Sequence, residues 1–229
     1  MVSPVSASPV HVTCKGILFD MDGILISSLG SVERSWTKWA TMRGIDPAHA
    51  IQMTHGCRSI ETVATLRPDL DAEQENRVIE QMEIDDTEGI GALPGALALL
   101  ASLPPDRWTV VTSATGPLAR VRLAAGGIPI PAKLVAAEDV TQGKPNPAPY
   151  LAGARLLGFA PEECVVFEDA ESGSKAGRAA GCTVIATTFS HRIDQLSAAH
   201  YLIPDLTHVI AERALAGDAI ALKFTPLAV

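Results

Sequence analysis

Five short apolar runs, separated by helical patterns and turn residues, constrain the fold of this 229-residue chain more than any other feature. They fall at residues 16–19, 108–111, 134–136, 164–167 and 183–186. Their length and their Val, Ile and Phe content predict buried strands. Amphipathic stretches at 117–125, 147–157 and 172–180 predict helices, and Gly158 and Gly181 stop the last two. Strand alternating with helix means a parallel sheet covered on both faces. In such a sheet, sites form beyond the carboxyl ends of the strands.

Residues 29–93 break the alternation. They read as helices only, at 32–42, 59–66 and 72–82. The block carries twelve acids against six basic residues, so it holds −6 of the chain's net −8. Nine of those acids lie between residues 69 and 88, the pattern of a solvated helical face. Trp36 and Trp39, three apart on one predicted helix, read as packing for this block. The expected organisation is a core of residues 1–28 and 94–229, with a helical domain of residues 29–93 inserted after the first strand.

Composition excludes several classes. At 47% hydrophobic the chain can bury a core without staples, and it is too apolar for disorder. No run of about 18 apolar residues occurs, so no membrane span is expected. A net charge of −8 lacks the basic footprint of a nucleic-acid binder. Cys14, Cys57, Cys164 and Cys182 form no CxxC pair, which sets a reduced, cytoplasmic location as the expectation. Residues 1–13 lack the pattern of a signal peptide and read as a loose tail. The segment at 219–229 reads either as a last strand or as a packed tail.

Four signals sit at predicted strand ends. Phe19-Asp20-Met21-Asp22-Gly23 places two carboxylates at i and i+2, then a glycine that permits close backbone approach. Val111-Thr112-Ser113-Ala114-Thr115 ends a strand in hydroxyls. Gly143-Lys144-Pro145-Asn146-Pro147 is a stiff turn presenting one lysine. Phe167-Glu168-Asp169-Ala170 ends a strand in two adjacent acids, an arrangement that calls for a compensating cation. Each signal is weak or moderate by itself.

In this order, the four resemble the motifs of the haloacid dehalogenase superfamily, and the helical insertion resembles that superfamily's C1 cap. The likeness covers about residues 16–186. It implies an α/β fold, a Rossmann-like parallel sheet core with an inserted all-helical cap domain. It also implies a set of roles. Asp20 is the nucleophile that forms an aspartyl-phosphate. Asp22 is the general acid and base, which points to phosphate esters as substrates. Ser113, aided by the Ala114 N–H, holds the phosphoryl oxygens, with Thr112 as the alternative hydroxyl. Lys144 neutralises phosphoryl charge and holds Asp20. Asp169, Asp20 and the Asp22 carbonyl ligate Mg²⁺, with Glu168 as an outer or water-mediated ligand.

The cap narrows the resemblance. Thr54-His55-Gly56-Cys57-Arg58-Ser59-Ile60-Glu61-Thr62 is similar to the yeast-type glycerol-phosphate and 2-deoxyglucose-6-phosphate phosphatases. So are Pro149-Tyr150-Leu151 and Ala186-Thr187-Thr188-Phe189. The implied substrate is a small phosphorylated sugar or polyol, handled by a monomer. The alternative is a β-phosphoglucomutase-like enzyme, but such mutases carry a His where this chain has Val32. A phosphonatase would need a Schiff-base lysine in the cap, where Lys38 is the only lysine, and Asp22 is the wrong residue for it. A non-catalytic sugar-phosphate binder would be expected to have lost Asp20, Asp22, Lys144 or Asp169. His55 and Arg58 are expected to reach substrate from the loop before a helix at Ser59, unless Arg58 only pairs with Glu61.

Overall fold

The computed structural model describes residues 8–54, 58–214 and 218–228. Its centre is a five-stranded parallel sheet. The strands are β2 (Gly16–Phe19), β5 (Trp108–Val110), β6 (Cys164–Glu168), β7 (Thr183–Thr187) and β8 (Tyr201–Ile203), in the order β5-β2-β6-β7-β8. The segment at 134–136 does not form the expected strand. It adds one parallel bridge, Val111 to Val135, before the chain turns at Ala137–Asp139, where the Asp139 carboxylate accepts from the Ala136 N–H at 2.8 Å.

The strands are buried on both faces, as parallel sheets are. Ile17, Phe19, Val165 and Phe167 face one side, with Phe19 stacked on Phe167 at 5.2 Å. That side is covered by α5 (Ala96–Ser102) and α6 (Gly116–Ala125). Leu18, Val166 and Val184 face the other, against α7 (Ala148–Leu157) and α8 (Glu171–Ala179). The period-2 alternation of the strand side chains thus splits one apolar run between two cores. Cys14, Cys164 and Cys182 are free and buried.

The N-terminal segment from Val10 is not a loose tail. Strand β1 (Val10–Cys14) pairs antiparallel with β10 (Ile220–Phe224), from Val10 opposite Phe224 to Cys14 opposite Ile220. β10 pairs in turn with β9 (Ile210–Arg213). Val10 and Val12 alternate with exposed His11 and Thr13, so one face of β1 packs on the core. Pairing also decides the open reading of residues 219–229 in favour of a last strand.

Four helices lie between β3 (Ile26–Ser27) and β4 (Gly91–Ala92). They are α1 (Leu29–Met42), α2 (Pro47–Gln52), α3 (Ser59–Leu66) and α4 (Ala72–Asp85). α2 is additional to the helices that the sequence pattern predicts, although Asp46 caps its N-terminus and Pro47 occupies its first turn. The helices enclose an apolar cluster of their own: Trp36, Trp39, Ala40, Ala50, Val63 and Ile79. Trp36 and Trp39 pack edge to face at 5.3 Å, as core residues. The chain enters this layer through β3 (Ile26–Ser27) and leaves through β4 (Gly91–Ala92), which pair antiparallel.

The acids of α4 are not simply a solvated face. Glu75 is buried and accepts from Trp39 Nε1 at 2.7 Å and from Arg43 Nε and Nη2 at 2.8 and 2.9 Å. Glu83 is buried against Arg122 of α6. No helix among the described residues is long and apolar enough to cross a membrane.

Candidate active site

The carboxyl ends of β2, β5 and β6 meet at one edge of the sheet, and there the four motifs converge. Asp20 directly follows β2, its N–H donating to the Phe167 carbonyl at 2.9 Å. Lys144 comes from the turn before α7. Its ammonium donates to Asp20 Oδ1 at 2.5 Å, to Glu168 Oε1 at 2.7 Å and to the Val111 carbonyl at 3.2 Å. One lysine so satisfies all three of its donors among buried acceptors at the carboxyl ends of three strands.

Glu168 is held from both sides. Its Oε1 also accepts from the Tyr150 hydroxyl at 2.6 Å, and its Oε2 accepts the N–H groups of Asp169 and Ala170 at 3.0 and 3.1 Å. Gly173 makes room for it, since a β-carbon there would lie 1.7 Å from Glu168 Oε1. Asp169 is buried beside the β2 loop, and the Ser190 hydroxyl donates to its Oδ2. Carboxylate oxygens of Asp20, Glu168 and Asp169 lie within 4.8 Å of one another.

Electrostatics follow from this crowding. Burial pushes the Asp20 carboxyl up to about 7, against the pull of Lys144 downward, with Glu168 adding to the rise. Burial also holds Asp169 well above the usual carboxylate range, with Glu168 and Asp20 adding to the rise. Burial opposes the charge on Lys144, but Asp20 and Glu168 outweigh it and keep the ammonium protonated. One cation faces three acids, so the cluster has room for further positive charge.

Asp22 stands across the mouth of this cluster. Its Oδ1 accepts from the Ser28 hydroxyl and its Oδ2 from Arg122 Nη1 at 3.1 Å. Ser113 and Ala114 line the same cavity, half-buried. The Thr112 hydroxyl is buried and accepts the Ala114 N–H at 3.1 Å, so that N–H already has a partner. Thr112 and Ser113 both line the cavity, and the Thr112 hydroxyl is the one engaged by the main chain. Val32 lines the opposite wall with Trp36 and Glu83.

His55 and Arg58, both expected to reach substrate, fare differently. His55 lies outside the described residues. The Arg58 guanidinium, expected to face substrate, instead donates to the carbonyls of Ala137 at 2.6 Å, Val140 at 2.5 Å and Thr141 at 3.4 Å. Three carbonyls of one turn converge on it and outcompete Glu61, which stays 3.8 Å away. Arg58 is not among the residues lining the cavity. Sequence reading missed Arg122 and Glu83. A signal was present, because Arg122 sits on the buried stripe of α6 with Leu118, Ala119 and Leu123, where an apolar residue belongs.

The family model for haloacid dehalogenase-like hydrolases matches residues 14–181, a span that contains all four motifs and the inserted helices. The chain belongs to this family. Its sequence is 42% identical over 212 residues to hexitol phosphatase A of Escherichia coli, covering 90% of this chain and 98% of that one. It is 36% identical over 199 residues to glycerol-1-phosphate phosphohydrolase 2 of Saccharomyces cerevisiae, covering 81% of this chain and 80% of that one. The crystal structure of a hydrolase from Pseudomonas syringae matches with a TM-score of 0.76 at 26% identity, over 84% of this chain and 94% of that one. The parallel sheet with flanking helices is thus the fold of haloacid dehalogenase-like hydrolases, and this member is an enzyme of that family.

Proposed function

We propose that this hydrolase is a Mg²⁺-dependent phosphatase acting on a small phosphorylated polyol or sugar through a phospho-aspartate at Asp20. The observation that carries the reading is Lys144 bridging Asp20 and Glu168 in a buried acidic cluster, with Asp22 at its mouth. The Asp20 carboxylate attacks phosphorus while Asp22 gives its proton to the leaving oxygen. Asp22 then takes a proton from the water that hydrolyses the phospho-aspartate. Ser113 holds a phosphoryl oxygen. The Ala114 N–H can join it only by giving up its bond to Thr112. Lys144 keeps the charge of the cluster compatible with an incoming dianion.

The residues fit a hard divalent cation, being carboxylates crowded into a buried space with too little positive charge. Asp20, Asp169 and the Asp22 carbonyl would hold it. Glu168, whose two oxygens already accept four hydrogen bonds, would support the site from behind. When bound, Mg²⁺ neutralises charge shared between the acids and the phosphate. Residues 29–93 would act as the cap over this site and residues 1–28 and 94–229 as the core. The names of the Escherichia coli and yeast relatives support a hexitol or glycerol phosphate as the substrate class. Val32 on the cavity wall favours hydrolysis over a mutase reaction, because an aliphatic side chain offers no group to manage a proton.

The deciding experiment is a phosphate-release screen over phosphorylated hexitols, glycerol phosphates and hexose phosphates with Mg²⁺, beside conversion of β-glucose 1-phosphate to glucose 6-phosphate. Phosphate release from at least one polyol or sugar phosphate is expected. Efficient isomerisation with little release of phosphate would replace this reading by the mutase one.

A further inference from the structure

Arg122 is an arginine in an apolar position. Its neighbours on the buried face of α6 are Leu118, Ala119 and Leu123, and its side chain is only 5% exposed. A buried guanidinium is strongly destabilising unless charges surround it. Two carboxylates do so, and they come from opposite parts of the molecule. Nη1 donates to Asp22 Oδ2 at 3.1 Å, in the loop after β2. Nη2 lies 3.3 Å from Glu83 Oε1, in the last turn of α4. Glu83 is itself almost fully buried and takes a hydrogen bond from Trp36.

Among the described residues, the ion pairs of Arg122 are with those two acids. Its Nε and Nη2 make no hydrogen bond among the described residues, so the main chain does not fix the guanidinium. Its orientation is set by Asp22 on one side and Glu83 on the other. A strut that only joined α6 to α4 would need Glu83 alone. The second contact reaches the carboxylate at the mouth of the acidic cluster, and the other oxygen of that carboxylate is held by Ser28, at the start of the helical layer.

We propose that Arg122 is a positioning residue that aims the Asp22 carboxyl at the leaving oxygen of the substrate, with Glu83 supplying from α4 the second ion pair that holds Arg122 in place. The inference rests on the reading of Asp22 as the general acid. Asp22 is then correctly aimed only while the helical layer is seated on the sheet.

The test uses the chemistry of the leaving group. In the first step a bond forms between an Asp20 oxygen and phosphorus. The ester P–O bond breaks, its electron pair stays on oxygen, and the Asp22 proton moves to that oxygen. An alkoxide needs that proton, and p-nitrophenolate hardly does. The ratio kcat/KM reports only the steps up to release of the leaving group, so later hydrolysis of the phospho-aspartate does not blur the comparison. Wild type is compared with Arg122→Lys and with the paired change Arg122→Met and Glu83→Gln, which removes the buried Glu83 charge together with its partner. Each is assayed on glycerol 1-phosphate and on p-nitrophenyl phosphate.

For the paired variant, kcat/KM on glycerol 1-phosphate should fall roughly 10- to 100-fold, a part of the roughly 10²–10⁴ that general acid catalysis supplies. The loss on p-nitrophenyl phosphate should be about an order of magnitude smaller. Arg122→Lys keeps the charge but reaches only one of the two acids, and should show the same split at reduced size. Equal losses on the two substrates in Arg122→Lys, or none on either, would overturn the proposal and leave Arg122 as packing. Failure of the wild type to release phosphate from both substrates would instead count against the phosphatase reading itself.

Discussion

A β-carbon built on Gly23 would lie 1.9 Å from Asp169 Oδ2. The loops after β2 and β6 are therefore packed against each other at the point where the glycine has no side chain. Gly23 also has φ +81°, a conformation that L side chains rarely adopt. This close approach is what lets an acid from β6 stand beside the acid from β2.

Gly23→Ala should push Asp169 away from Asp20. Activity at fixed Mg²⁺ is expected to drop about 10-fold or more, in line with a lost charge-assisted contact of about 1.5–3 kcal/mol. The left-handed backbone adds about 1–2 kcal/mol of destabilisation. A Mg²⁺ titration of activity reads the first effect and thermal melting the second. An unchanged Mg²⁺ midpoint would mean that Asp169 does not hold the ion.

Asp20→Asn keeps the shape of the side chain and its bond to the Phe167 carbonyl through the main chain, and it removes the carboxylate proposed as nucleophile. Turnover should vanish while circular dichroism stays native. Exhaustive chelation should silence the wild-type enzyme in the same way, and added Mg²⁺ should restore it. Wild-type rates from the pure Asn variant, or full activity in excess EDTA, would refute the aspartyl-phosphate route and the metal requirement respectively.

Arg58→Ala should lower kcat/KM to a similar degree on a polyol phosphate and on p-nitrophenyl phosphate. Its guanidinium grips the turn that precedes Lys144, with carbonyls at 2.5 and 2.6 Å, so its loss loosens the seating of the helices for every substrate. About 10- to 150-fold is the range for charge-assisted bonds of about 1.5–3 kcal/mol. A loss confined to the polyol phosphate would show that Arg58 turns inward and reads the substrate.

Glu75 gives the helical layer a pH dependence. Hydrogen bonds from Arg43 hold its carboxyl below the usual carboxylate range; burial opposes this, and the Trp39 N–H adds to the lowering. A lowered carboxylate stabilises the fold above its unfolded value, about 4.3, and that stability is lost as pH falls through the folded value. Glu75→Gln should cost about 1–3 kcal/mol at pH 7. The gap between wild type and variant should close below about pH 4. Denaturation followed by tryptophan fluorescence measures it, since Trp39 donates to Glu75. A gap of constant size from pH 7 to pH 3 would contradict the pairing.

Local pattern carried the sheet and much of the site. Residues 16–19, 164–167 and 183–186 read as buried strands because a strand buried on both faces is a short unbroken apolar run, and such a run needs no knowledge of its partners. Asp20, Ser113 and Asp169 became neighbours by the same logic, since each follows a strand and parallel strands end at one edge. Lys144 was legible as a lysine on a stiff turn before a helix. Adjacent acids at Glu168 and Asp169 call for a divalent cation, and the structure sets them with Asp20 in a cluster that could hold one, with Lys144 bridging Asp20 and Glu168.

Only the tertiary structure decided the rest, and in each case the deciding contact joins residues far apart in the chain. Val10 pairs with Phe224, so no window on the N-terminal segment could show that it is a strand. Glu75 and Glu83 look like solvated acids on α4 because Arg43 and Arg122, which permit their burial, lie on other elements. The sequence points Arg58 toward the substrate because its competing acceptors are main-chain carbonyls about 80 residues later, at Ala137 and Val140, and carbonyls carry no sequence signature. The apolar pattern of a segment is local, and so the sequence by itself determined the central strands and the helices that cover them, but not β1, α2 or the failed strand at 134–136. The partner of a buried charge is chosen by packing, and so the fold alone determined where Arg58, Glu83 and Arg122 point.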